Sequence, residues 1–176
     1  MIKNKTGRRV KNETKGSEKR SERSRKGTQK MRISDDLEES SQKTYPKGIN
    51  NQKKSHLVRI FLEMLNVIKL YHWKTRSFSQ HKATDELYAR LNEHIDKFVE
   101  VLLGKDQSRI NMVEKNIELL DTSSTKEFQT RVFQYRGFLT DLDRYFDRKK
   151  DTDILNIRDE ILGDINQFLY LLTFDK

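Results

Sequence analysis

The chain has 176 residues, 36 Lys plus Arg against 27 Asp plus Glu, one proline and no cysteine. That length suits one ordinary domain, and the missing cysteine excludes a disulfide framework, a thiolate zinc site, an iron-sulfur cluster and a cysteine nucleophile. Residues 1–54 carry 17 basic and 7 acidic side chains while the rest carry 19 and 20, and the apolar residues divide 8 to 51, so the charge excess belongs to the first part and the core to the second.

The N-terminal stretch predicts a disordered basic tail and linker over residues 1–54. Its first thirty positions hold Lys3, Lys5, Arg8, Arg9, Lys11, Lys15, Lys19, Arg20, Arg23, Arg25, Lys26 and Lys30 against three Glu, with too few apolar groups to offset the entropy of folding. Such a polycation binds the phosphates of a nucleic acid by counterion release, without base-reading geometry. A solvated tail with no partner, a nuclear-import signal and an anionic membrane surface are alternatives that composition leaves open. Residues 31–54, with Asp35, Asp36, Glu38 and Glu39 before Pro46 and Gly48, read as a linker with at most a helical turn.

Beyond Lys54 the periodicity is helical throughout, and an all-α domain is expected over residues 55–176. Leu57, Ile60, Phe61, Met64, Leu65, Ile68 and Tyr71 define a first amphipathic helix ending near Lys74. Leu87, Leu91, Ile95, Phe98 and Leu102 define a second, from about Ser79 to a stop at Gly104. Ile110, Val113 and Ile117 suggest a short helix over 108–120, and Ser124 with Glu127 forms a capping box opening the next long helix. That helix carries Phe128, Val132, Tyr135, Leu139, Leu142 and Phe146. Asp153 is read as the cap of the last, whose stripe is Ile154, Ile157, Ile161, Ile165, Phe168 and Leu172. Four long helices and a short one between the second and third predict a four-helix bundle with a crossover helix. The longest apolar run, Phe168 to Leu172, is far too short to span a bilayer, and a soluble, intracellular protein without membrane contact is expected.

All four histidines, His56, His72, His81 and His94, fall within one stretch rich in carboxylates. His81 with Asp85 and Asp96 with Glu100 are each four residues apart, so each pair projects from one helix face as a two-ligand clip. The eleven residues from Asp85 to Asp96 are close to three turns, which puts the clips on one face but about 16 Å apart. One ion cannot touch both. A second copy packed antiparallel across a two-fold axis would bring His81 and Asp85 opposite its Asp96 and Glu100, giving two identical sites in at least a dimer. His72, across a short turn from His81, is placed to join them. Imidazole plus carboxylate suits iron, with manganese or zinc as alternatives. Solvated charges that merely recur on a charge-rich helix are the competing reading, and His94, on another face from Asp96, reads as a helix-surface or interface residue rather than a ligand. No Glu is followed three positions later by His, so the within-chain di-iron motif of larger ferritins is missing.

The segments Leu70-Tyr-His-Trp-Lys-Thr, Gln80-His-Lys-Ala-Thr-Asp-Glu-Leu-Tyr and Glu93-His-Ile-Asp-Lys-Phe-Val-Glu resemble the signature of the Dps-like mini-ferritins. The resemblance implies a ferritin-like bundle and an inter-subunit ferroxidase centre, with His72, His81 and Asp85 of one chain facing Asp96 and Glu100 of its mate. It also implies a hollow dodecamer that oxidises ferrous iron with peroxide, stores the ferric mineral and binds DNA through a lysine-rich tail, hence a nucleoid location. The same core is similar to ferritin-like proteins of large DNA viruses and phages. A virion or genome-packaging protein on that scaffold, without catalysis, is therefore the rival expectation.

Overall fold

The computed structural model describes residues 49–174. The basic tail and most of the linker, with every tail residue assigned above to nucleic acid, lie outside the described residues. Four helices follow in order: α1 (Asn51–Lys74), α2 (Phe78–Gly104), α3 (Thr125–Asp141) and α4 (Thr152–Leu171), with single 3-10 turns at Leu142–Arg144 and Leu172–Phe174. No strand occurs among the described residues.

Each helix forms where an apolar stripe repeats at three- and four-residue steps, and each stripe is what the structure buries. Phe61 and Met64 of α1, Leu91 and Phe98 of α2, Phe128 and Leu139 of α3, and Ile161 and Ile165 of α4 are almost wholly withdrawn from water. At about 1.5–3 kcal/mol for a fully buried large side chain, this shared core supplies most of what holds the helices together. Aromatic pairs fix the seams: Tyr71 stacks on Phe128 at 3.8 Å between centroids, and Phe61 meets Phe98 edge-on at 5.1 Å.

The helix directions follow from side-chain pairs. Lys105 meets Asp153, Lys97 meets Glu160, and His94 and Arg90 meet Asp164, so α2 and α4 run antiparallel. Thr125 lies beside Tyr71 and Phe138 beside Phe61, so α3 runs against α1. The three-residue turn between α1 and α2 makes them antiparallel neighbours as well. The stretch between α2 and α3 starts beside Asn51 and finishes beside Lys74, and therefore travels the length of α1. The result is a four-helix bundle with one long crossover connection.

Five details depart from expectation. The crossover is extended where residues 108–120 were expected to form a short helix. Its amides are satisfied sideways: the Asn51 amide donates to the Asn111 carbonyl at 2.9 Å and accepts from the Asn111 N–H at 3.3 Å. Ser55 Oγ accepts from the N–H groups of Val113 (2.9 Å) and Glu114 (3.4 Å). At these positions α1 supplies the partners that an intrahelical ladder would otherwise give. At its other end, α1 begins at Asn51, inside the predicted linker, because Asn50 caps it by accepting from the Lys53 N–H at 2.9 Å. Lys54, assigned by sequence to the linker, is buried and paired with Asp106 and Ser108, and this contact holds the Asp106 carboxyl below its usual range.

Two caps also differ. The Ser124 hydroxyl does accept from the Glu127 N–H at 3.4 Å, but Thr122 takes the Ser124 N–H, so only half of the capping box forms. Asp153 does not cap α4; Asp151 holds the cap position and Asp153 pairs with Lys105.

Gly104, read as the stop of α2, is its last helical residue, and the reversal comes at Gln107, whose φ of 54° lies in the left-handed region. The Ser108 N–H returns to the Leu103 carbonyl at 3.2 Å, closing a Schellman turn around Gln107. A side chain there carries a steric cost that glycine avoids. Gln107→Gly is therefore expected to stabilise the bundle by about 0.5–1 kcal/mol, read as a raised urea midpoint with unchanged slope.

Candidate metal centre

The α1–α2 turn is short because Ser77 accepts from the Gln80 N–H and starts α2 at once, while the Thr75 N–H closes α1 on the Tyr71 carbonyl. This brings His72, in the last turn of α1, against His81, in the first turn of α2. The rings stack with centroids 3.8 Å apart and planes 22° from parallel. Each imidazole donates from Nδ1 to the other residue's backbone carbonyl, His72 to His81 at 2.9 Å and His81 to His72 at 3.0 Å. A carbonyl only accepts, so Nδ1 carries a proton in both rings, and Nε2 is in each the nitrogen not engaged with the backbone. Thr84, wholly buried, places its hydroxyl 3.2 Å from His72 Nδ1 while donating to the Gln80 carbonyl at 2.7 Å, which fixes the ring further.

Asp85 completes this corner, with Oδ1 3.9 Å from His72 Nε2 and 3.6 Å from the Lys69 ammonium. Histidines that ligate metals characteristically spend their second ring nitrogen on a carbonyl or carboxylate, and these two are set that way. The structure thus stacks His72 on His81 and sets His72 near Asp85. It leaves Asp96 and Glu100 apart: both are exposed on α2, about 16 Å further along its axis. Among the described residues no group of three or more His, Cys, Asp or Glu side chains is gathered as one chain would need to hold an ion.

His94 lies at the α2–α4 seam, its Nδ1 2.8 Å from Asp164 and its Nε2 3.9 Å from Glu160. It pairs with the neighbouring helix of the same bundle.

The sequence reading missed a polar cluster inside the bundle. Glu63 of α1 is buried, and its carboxylate accepts from Arg59 at 3.1 Å, from Arg131 of α3 at 3.1 Å and from the Tyr135 hydroxyl at 3.0 Å. Arg59 also pairs with Glu114 of the crossover. The signal was present, since Glu63 sits between Ile60 and Val67 on the apolar side of α1, where an unpaired charge would be costly. Burial, and then the neighbouring Glu63 carboxylate, push the Tyr135 hydroxyl above its ordinary value of 10.0. The unfolded tyrosine loses its proton near that value and the folded one keeps it, so above about pH 10 the native state binds more protons and stability falls as pH rises. Urea midpoints measured from about pH 8 to 11 should show this alkaline loss, intact stability lying below it, and Tyr135→Phe should flatten it.

No helix among the described residues is long and apolar enough to cross a membrane. A family model described as "Family of unknown function (DUF5856)" matches residues 72–172, the larger part of the chain and the part that begins at His72. No match was found among curated proteins or among solved structures.

Proposed function

The chain belongs to that family of unknown function, and from this premise we propose that it is a ferritin-like iron-binding protein that oxidises and stores iron and is tethered to nucleic acid by its basic N-terminal residues. One observation carries the reading: His72 and His81 donate from Nδ1 to each other's carbonyls, which leaves Nε2 of each ring as the nitrogen that could meet a metal, that of His72 3.9 Å from Asp85. That donor set suits a borderline metal such as ferrous iron, with zinc or manganese as alternatives. The single long crossover, which lets α2 and α3 run parallel, supports the ferritin-like assignment of the bundle.

Ferrous iron is here the substrate. His72, His81 and Asp85 would bind it from one chain, and the exposed Asp96 and Glu100 of a second copy, packed antiparallel along α2, would complete the set. The carboxylates would offset the cation's charge, the carbonyl-anchored imidazoles would keep their orientation, and remaining open positions would admit a peroxide oxidant. An anomalous-scattering map of iron-soaked crystals tests this directly. A peak between two chains at these five residues is expected, and its absence with α2 faces apposed would favour the rival packaging protein, in which the carboxylates are only interface charges.

The tail assignment rests on charge. The seventeen basic residues among the first 54 stand against a remainder that is almost neutral. Deleting residues 1–48, which leaves the Asn50 cap in place, should abolish duplex DNA binding while preserving helicity. In the full chain, affinity should fall with salt at a log-log slope of about −0.9 per phosphate contact, independently of base sequence. Undiminished binding by the truncated chain would move the interface onto the helices.

A further inference from the structure

Lys69 lies one turn before His72 on α1, on the same face, and its ammonium stands 3.6 Å from Asp85 Oδ1. This is the same carboxylate oxygen that lies 3.9 Å from His72 Nε2. Two aromatic faces hold the ammonium in place, Tyr88 at 4.8 Å and Trp73 at 5.9 Å from their ring centroids. Lys69 is half-buried while Asp85 is exposed. As a stabilising ion pair this is worth little, because water screens the carboxylate. Its importance lies in which oxygen is occupied.

We infer that Lys69 is the built-in counter-cation of this site: it neutralises Asp85 when no metal is bound and competes with a divalent cation for that carboxylate. The inference rests on the reading of His72, His81 and Asp85 as a metal centre. A divalent ion that took Asp85 as a ligand would bring two positive charges close to the ammonium. Lys69 must then leave Asp85 for its aromatic neighbours or for solvent, and either move subtracts from metal affinity. Lys69 therefore sets the cation concentration at which the site fills. It is a positioning residue, since its action on the metal passes through Asp85.

The test is a titration of the full chain with cobalt(II), which is redox-stable under these conditions and signals coordination by visible absorption. Trp73, the only tryptophan, gives an independent fluorescence readout beside the site. Lys69→Gln removes the charge and keeps a helix-compatible stem, and it should lower the half-saturating cobalt concentration on the order of ten-fold. Lys69→Arg keeps the charge and should remain close to wild type. The gain in Lys69→Gln should shrink as salt is raised. His81→Ala should lose saturable binding, which locates the signal. If His81→Ala abolishes binding but Lys69→Gln binds no tighter than wild type, or Lys69→Arg gains as much as Lys69→Gln, the competition is overturned while the metal centre stands. If neither wild type nor Lys69→Gln shows saturable binding, the metal centre itself fails and the inference with it.

Discussion

Glu63→Ala is expected to cost the bundle about 3–5 kcal/mol, the range for removing one partner from a buried charge network. The wild-type carboxylate is buried and takes hydrogen bonds from Arg59, Arg131 and Tyr135. Removing it strands Arg59 beside Glu114 alone and leaves the Tyr135 hydroxyl facing a cavity. Arg131 is partly exposed and recovers some hydration, which places the expected loss toward the lower end. Urea unfolding followed by circular dichroism measures it. Replacing Glu63, Arg59, Arg131 and Tyr135 together by apolar residues of similar size should restore much of the loss, because no unpaired charge is then buried. A Glu63→Ala protein within about 1 kcal/mol of wild type would show that the cluster is hydrated and its charges effectively at the surface.

On the proposed inter-chain site, His81→Ala and Asp96→Ala should each eliminate rapid peroxide-driven iron oxidation, since in such a two-fold dimer either change would remove a ligand from both sites. The two variants should nevertheless rescue each other. In a mixed dimer one site loses both ligands and the other keeps its full set, so random mixing of equal amounts restores about a quarter of the sites. Stopped-flow oxidation after co-refolding reads this out. A site built within one chain would show no rescue at all.

The apolar stripes were legible because burial leaves a period in the sequence. Leu91 and Ile161 could be assigned to the core without knowing their neighbours. The crossover was not legible, because Ile110, Val113 and Ile117 mimic helical spacing while the groups that fix the backbone, Asn51 and Ser55, lie 58 to 60 residues away. Lys54 was misassigned for the same reason: its partner Asp106 is 52 residues distant, and a lone lysine before a helix looks solvated. In the candidate site, spacing alone joined His81 to Asp85, and the short turn suggested His72. The imidazole tautomers depend on two carbonyl positions that only the folded turn supplies. Lys69 escaped notice because one-turn helical neighbours of a histidine are common and only the distance to Asp85 distinguishes it.

The reciprocal imidazole bonds also bear on the order in which the molecule assembles. His72 and His81 are separated by nine residues, so their contact closes a small loop at low entropic cost and can form with the first helical hairpin. The Glu63 cluster joins residues 68 and 72 positions apart and must wait for the crossover to be laid along α1. A hairpin that forms first would set His72 against His81 before the second half of the chain is in place.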